Sequence, residues 1–170
     1  MLASAPPRPV PAAPLGPLRS AGPRLLTGLL LAGLLLGGPA RADTCDDLAR
    51  QIAGAIGGKV GRRAGPSIDI RLAGPIKLDV TCRAEPIVQA TSAEAAPSAT
   101  FFRDLSVASE ILIGEPAATV EPIIANAYRT SLSERRKSFI QQSGWSASCY
   151  TDPGSTTMRT LCSVGRIPPG

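Results

Sequence analysis

Four cysteines constrain this chain more than any other feature of its sequence, and all lie beyond residue 42: Cys45, Cys82, Cys149 and Cys162. An even number of cysteines in a short exported chain is typical of a disulfide framework, because oxidising compartments allow such bonds to persist. The interpretation of the cysteines therefore depends on whether the amino-terminal segment directs export.

Residues 1 to 42 have the composition of a secretory leader. The start carries arginines without any acidic residue, and an apolar run of about a dozen residues follows from Leu25 to Leu36, broken only by Thr27 and two glycines. This run is shorter than the roughly 20 residues that a helix needs to cross a bilayer. We expect a disordered start and a short apolar helix over residues 25–36.

The predicted cleavage site follows the apolar run. Ala40 and Ala42 place small side chains at the two positions that a signal peptidase reads, so we expect cleavage before Asp43. Residues 43–170 then form a single exported domain, periplasmic or secreted. An uncleaved leader acting as a membrane anchor is the alternative. A lipoprotein is disfavoured, because Cys45 does not directly follow a Leu-Ala-Gly-like triplet.

The leader also accounts for most of the basic character of the chain. It holds four of the 18 basic residues and none of the 13 acidic ones, so 14 basic against 13 acidic residues leave residues 43–170 with a net charge of +1. Nucleic-acid binding needs a concentrated basic surface, and only the run Arg135, Arg136 and Lys137 remains. We interpret that run as a solvated helix face, with a contact to a polyanion or an anionic lipid as the alternative. No nucleic-acid partner is expected.

The two carboxy-terminal cysteines flank a strong turn signal. Residues 152–155 read Asp-Pro-Gly-Ser, and alternating residues on both sides predict a β-hairpin. In that register Trp145 and Cys149 share one face of the first strand, and Cys162 and Val164 share a face of the second. The pattern favours a cross-strand bridge between Cys149 and Cys162.

The other two cysteines lie on apolar faces of different elements. Thr44 can cap a helix in which Cys45 and Ile52 share one face. Strict alternation over residues 76–83 places Cys82 on the apolar side of a strand. A Cys45 to Cys82 bond would tie that helix to the sheet. Zinc binding and a catalytic dithiol are weaker alternatives, because the sequence has no closely spaced cysteine pair and no histidine.

The chain between the cysteine pairs alternates between strand, loop and helix patterns. A basic, glycine-rich loop over residues 57–66 precedes a hairpin of strands 67–72 and 76–83. Residues 90–100 are typical of an exposed loop. The apolar cluster at residues 111–113 favours a strand, although periodicity does not separate it from a short helix.

A longer amphipathic helix is predicted after this cluster. Thr119 can cap it, Pro122 suits its first turn and Gly144 can end it, with an apolar stripe that reaches Phe139. The predicted fold class is α+β, with a mostly antiparallel sheet built from two hairpins, two helices packed on one face and two stabilising disulfides.

The absence of histidine excludes Ser-His-Asp and Cys-His catalysis and removes the commonest general base. A serine-lysine mechanism would need a buried lysine, and Lys59, Lys77 and Lys137 all lie in polar or loop patterns. No phosphate loop, dinucleotide fingerprint, calcium loop or haem-attachment motif occurs. We therefore expect no catalytic residue, no metal site and no cofactor.

Two pairs of acidic residues are the remaining candidates for chemistry. Asp46 and Asp47 stand at a helix start, where capping and the helix dipole explain both. Asp69 and Asp79 are expected near one another on the outer face of the first hairpin, among basic side chains. Solvent exposure is the simplest interpretation there too.

These observations predict a non-catalytic binding or structural protein, periplasmic or secreted, whose partner is an unknown protein or envelope component. The high alanine, glycine, proline and arginine content is typical of a bacterial envelope protein. A carboxylate-based hydrolase and a membrane-tethered protein with a retained leader are the alternatives. Membrane contact is expected only in the last case.

Overall fold

The computed structural model describes residues 40–94, 96–134 and 137–168, with side chains from Thr44 onward. These residues form three helices and one seven-stranded sheet in which every pair of neighbours is antiparallel. The predicted α+β class, with a mostly antiparallel sheet, is confirmed.

The elements follow one another along the chain with short connections. The helices are α1 (Ala40–Ala55), α2 (Ala99–Ile113) and α3 (Ala117–Glu134). The strands are β1 (Lys59–Ala64), β2 (Ser67–Arg71), β3 (Ile76–Thr81), β4 (Ile87–Ser92), β5 (Ser138–Gln142), β6 (Trp145–Thr151) and β7 (Thr160–Arg166). The sheet order is β1-β2-β3-β4-β7-β6-β5, so β1 and β5 are its edges and the last strand in sequence lies inside it.

One face of the sheet supplies the core. Because side chains alternate between the faces of a strand, the strand register aligns buried residues in rows across the sheet. One row runs through five adjacent strands, all nearly inaccessible to solvent: Ile70, Leu78, Ala90, Cys162 and Cys149. Removal of this apolar surface from water is the main source of stability for the sheet.

The three helices cover this inner face. In α2, Phe101, Leu105 and Ala108 recur at helical spacing and are fully buried. In α3, Ile124 and Ala127 occupy the corresponding positions, and Ile52 does so in α1. Helices packed on one side of an antiparallel sheet leave its other side open to solvent.

Both disulfides join elements at the inner face. Cys149 and Cys162 lie directly opposite one another on β6 and β7, with 4.1 Å between their Cα atoms. Cys45 on α1 is bonded to Cys82, which directly follows β3, with a Cα separation of 6.1 Å. The bond between Cys45 and Cys82 is the one predicted from the helical spacing around Cys45 and the strand alternation around Cys82. It ties α1 to the end of the sheet.

The basic segment that we expected to be a loop is the edge strand β1. It pairs with β2, with a register shift between Val60 and Arg63. Five of its six residues are exposed, so β1 has none of the apolar alternation that identifies a half-buried strand. Its backbone pairing with β2 defines this strand, and such pairing cannot be read from the side-chain pattern.

Three further expectations are wrong. Residues 90–100, which we expected to be an exposed loop, include the buried Ala90 and Ser92 of β4 and the first two residues of α2. Residues 111–113 belong to α2 rather than to a strand, because the whole span from Phe101 to Leu112 has one buried face at helical spacing. The helix expected to reach Gly144 ends at Glu134, and Phe139 lies in β5. The prediction of two helices and two hairpins therefore contains too few helices and too few strands.

The predicted leader, with its apolar run over residues 25–36, lies outside the described residues except where α1 begins at Ala40. The side chains of Ala40, Ala42 and Asp43 are also outside them, so cleavage before Asp43 stays a prediction. Within the described part of the chain, no helix is both long enough and apolar enough to span a membrane.

Candidate functional site

The outer face of the sheet, which no described helix covers, divides into two halves of different chemistry. Side chains on β2 and β3 that point to this face include both signs of charge, namely Asp69, Arg71, Lys77 and Asp79; we call this the charged face. Strands β4, β7, β6 and β5 form the second half. There the outward positions hold no Asp, Glu, Lys or Arg at any point of the described ladder.

This second half is named the uncharged face and comprises 11 outward residues of β4, β7, β6 and β5. They are Ile87, Gln89, Thr91, Leu161, Ser163, Gly165, Ser146, Ser148, Tyr150, Phe139 and Gln141. Hydroxyl, amide and aromatic groups dominate, and the strands place them in continuous rows. A solvent-facing sheet surface of this extent normally carries charged residues, so the composition is unusual for a surface that binds nothing.

Hydroxyl groups on the outer face are held by hydrogen bonds between strands. The hydroxyls of Ser148 and Ser163 lie 2.9 Å apart across β6 and β7. Thr81 donates to Oε1 of Gln89 at 3.3 Å, and its oxygen lies 3.1 Å from that of Ser67. These contacts fix the donors and acceptors in place before any partner arrives, which lowers the entropy lost on binding.

Apolar groups are exposed at one end of the uncharged face. Phe139 on β5 is 59% exposed, and Tyr150 on β6 is 38% exposed. Leu161 stands directly opposite Tyr150 on β7. Single exposed apolar residues are common in soluble proteins, but neighbouring ones surrounded by polar groups are typical of an interaction surface.

The charged face holds the one acidic pair that the register brings together. Asp69 and Asp79 lie directly opposite one another on β2 and β3, as the sequence predicts. Burial raises the pKa of Asp79, the charge of Asp69 raises it further, and Lys77 acts in the opposite direction. Asp69 also pairs with Arg71, whose Nε lies 3.5 Å from Oδ2.

A cleft of about 800 Å³ lies at the end of the sheet where β3 connects to β4. Its wall includes the Cys45 to Cys82 disulfide and the apolar side chains of Leu48 and Leu112. Charges of both signs line it as well: Asp47, Arg83, Glu85 and Arg166. The volume is within the range of small-ligand sites, which is about 300–1,000 Å³.

Of the adjacent acids Asp46 and Asp47, only Asp47 lines this cleft, and both are held in ion pairs. Asp47 makes an ion pair with Arg50 in the next turn of α1, on the helix surface. Asp46, the neighbour of Asp47 in the helix, pairs instead with Arg63 of β1 at 2.6 Å. Because α1 begins at Ala40, the two acids lie inside the helix and not at its start, where we expected them, and ion pairs at the surface, not capping, account for both.

The three lysines considered for catalysis are all exposed. Lys59 is in β1, Lys77 is on the charged face and Lys137 directly precedes β5. A catalytic lysine is normally buried beside the group that it activates, and none of these three side chains is buried. Among the described residues, no group of three or more His, Cys, Asp or Glu side chains is arranged to hold a metal ion.

The uncharged face was not visible to sequence reasoning, because its residues come from strands whose order in the sheet the sequence does not reveal. The available signal was local: residues 138–150 contain no acidic or basic residue over 13 positions. Comparisons with protein-family models, with curated proteins and with solved structures found no match for this chain.

Proposed function

We propose that this protein is exported, periplasmic or secreted, and that it acts without catalysis by binding another protein of the bacterial envelope through its uncharged face. The observation that carries the proposal is the lack of charge across the outward positions of four adjacent strands. Burying an unpaired charge on association is costly, so the centres of protein interfaces are depleted of charged residues and enriched in aromatic ones.

The chemistry of the face favours a protein partner that presents an uncharged surface. Tyrosine and serine together supply rigid contact area and adaptable hydrogen bonding, as they do in antibody binding sites. Tyr150, Ser148 and Ser163 offer this combination on β6 and β7, the two inner strands of the face. A charged partner would lose the hydration of its charged groups without gaining ion pairs there.

Export is supported by the leader sequence and by the two disulfides. The bonds Cys45 to Cys82 and Cys149 to Cys162 use every cysteine of the chain. Disulfides persist in oxidising compartments and are rare in the cytosol of mesophiles. Intact mass under non-reducing conditions tests this directly: we expect a chain that starts at Asp43 and lacks four hydrogens, whereas a full-length reduced chain would refute export.

The same mass measurement separates the membrane-tethered alternative from the proposal. A retained leader would leave residues 1–42 attached, and the protein would then fractionate with membranes. A chain that starts at Asp43 has lost the apolar run over residues 25–36 and with it the anchor.

Binding through the uncharged face is tested by crosslinking in the native envelope. Tyr150→Ser removes an aromatic group that is 38% exposed, and we expect it to abolish the crosslinked partner band. Met158→Ser is the matched control, because Met158 is 37% exposed but lies in the β6 to β7 loop rather than on the face. Retention of the partner by the Tyr150 variant, or equal loss in both variants, would contradict the proposal.

A carboxylate-based hydrolase would have to use Asp69 and Asp79, the acids that the register places together. General acid-base chemistry needs a site that encloses the scissile bond and excludes water. These two half-buried side chains lie on a sheet face beside Arg71 and Lys77 and are not part of the 800 Å³ cleft. The geometry therefore favours binding over hydrolysis.

A further inference from the structure

The two edges of the sheet differ in how they are protected against pairing with another strand. An unprotected edge presents a row of free N–H and C=O groups, and natural proteins block such edges with charge, bulges or proline. The β1 edge has these devices: a register shift between Val60 and Arg63, three basic residues within the strand, and Pro66 in the turn that follows.

Within its five residues, the β5 edge has none of them. Its five residues, Ser-Phe-Ile-Gln-Gln, pair with β6 in unbroken register from Ser138 to Gln142. No strand in the described part of the chain pairs with its other side. The strand itself contains no charge, no proline and no glycine. Nothing within it therefore blocks the backbone N–H and C=O groups of its unpaired side from pairing with another strand.

Apolar side chains lie on both faces of this open edge. Phe139 points to the outer face and is 59% exposed, while Ile140 is partly buried on the inner face. On α3, Tyr128 packs against Phe102 of α2. Ile123 lies on the opposite flank of α3 and is also only partly buried. A strand added at β5 would therefore gain apolar contacts above and below the sheet as well as backbone hydrogen bonds.

We propose that the occupant of the β5 edge is the β5 strand of a second copy of this chain, joined across a two-fold axis so that the two sheets form one antiparallel sheet. An interface of this kind is self-complementary and closes after two copies. With Ile140 at the axis, all five residues pair, and Phe139 of each copy faces Gln141 of the other.

Electrostatics favour this two-fold arrangement. The charged residue nearest to the strand among those described is Lys137, directly before it. With Ile140 at the axis, the two Lys137 residues lie at opposite ends of the ladder, six residues or about 20 Å apart. That distance is more than twice the screening length of about 8 Å at physiological salt, so the copies do not repel one another there. A pairing of β5 with β1 of another copy would meet the bulge and the basic residues of β1.

Sedimentation equilibrium of the purified, oxidised protein at increasing concentration tests the proposal, and we expect a mass twice that of one chain. Phe139→Lys combined with Gln141→Lys places like charges opposite one another at two positions of the ladder, and we expect this variant to be monomeric. Phe139→Lys combined with Gln141→Glu places opposite charges at the same positions and is expected to restore the dimer. Val60→Lys, a change of an exposed residue on the other edge, is expected to leave the dimer intact.

A monomeric parent protein at every concentration would overturn the proposal, as would a dimer unaffected by the two lysines. Thermal unfolding of each variant separates loss of pairing from loss of the fold, because Phe139 and Gln141 are both exposed and their replacement should leave the monomer folded. Self-association is measured on the purified protein, while the envelope partner is measured through Tyr150. Either proposal can therefore fail without the other.

Discussion

Thr151 and Thr160 lie directly opposite one another on β6 and β7, and both are almost fully buried. Of their two hydroxyl groups, only that of Thr151 has a hydrogen-bond partner. The Thr151 hydroxyl donates to the Ser131 carbonyl at 2.9 Å. That carbonyl is one of the last four of α3, which have no partner inside the helix. The hydroxyl of Thr160 has no hydrogen-bond partner among the residues that the structure describes.

Thr160→Val should stabilise the protein. The change replaces a buried hydroxyl that makes no hydrogen bond with a methyl group of nearly the same shape, so no cavity forms and the desolvation penalty disappears. We expect the free energy of unfolding in urea to rise by about 1 kcal/mol. Thr151→Val is the matched control and should lower it by about 1 kcal/mol, because the Ser131 carbonyl loses its donor. Equal effects of the two changes would contradict this account.

Asp79→Asn should stabilise the protein at neutral pH and have little effect in acid. Burial and the charge of Asp69 raise the pKa of Asp79 in the folded state, so the folded protein favours the protonated acid. The resulting stability is complete below the pKa of the unfolded chain and is lost as pH rises through the folded value. We expect a gain of up to about 1 kcal/mol at pH 7, limited by partial exposure to solvent, and almost none near pH 3.

The control for this effect is Asp69→Asn. It relieves the same repulsion but also breaks the ion pair with Arg71, so its gain at pH 7 should be smaller. Unfolding in urea at both pH values measures the two variants. A stability difference for Asp79→Asn that is the same at pH 3 and pH 7 would show that the charge of Asp79 is not responsible.

The two disulfides should contribute unequally. Cys45 and Cys82 are 37 residues apart, whereas Cys149 and Cys162 are 13 apart. Chain entropy lost from the unfolded state then gives about 4 kcal/mol for the first bond and about 3 kcal/mol for the second. We expect the Cys45→Ala, Cys82→Ala variant to be the less stable in urea, with faster amide exchange in α1 than in β6. The reverse order would mean that packing around the buried cross-strand bond outweighs loop entropy.

Two exposed glycines should respond to alanine with opposite signs. Gly144 joins β5 to β6 with a φ of 81°, so Gly144→Ala forces a side chain into the left-handed region at a cost of about 1 kcal/mol. Gly54 lies within α1 and has open space around it, so Gly54→Ala should stabilise by about 0.5–1 kcal/mol through its helix propensity. Thermal unfolding of the two variants checks both signs.

The elements that sequence analysis located correctly are those with a strong period and one buried face. Residues 76–81 alternate strictly because their inner side chains pack under the helices while Lys77 and Asp79 face water. The hairpin around residues 152–155 was found because turn chemistry and alternation agree there. In both places the local pattern and the tertiary environment impose the same period.

Edge strands and strand order could not be found in this way. The exposure of β1 removes the alternation on which strand prediction relies, and β5 was assigned to a helix because Phe139 continues the apolar stripe of α3. The pairing of β4 with β7 joins segments about 70 residues apart, and no local feature records it. The uncharged face depends on that pairing, so it emerged only from the structure.

The position of β7 has a consequence for the order of events when the protein is made. The last strand to be synthesised fits between β4 and β6, so the sheet stays in two separate pieces until residues 160–166 arrive. For export from the amino terminus, as proposed above, this means that the sheet cannot be completed before the last residues have crossed. A truncation that removes β7 should therefore divide the sheet into two parts, β1 to β4 and β5 with β6, instead of shortening it at an edge.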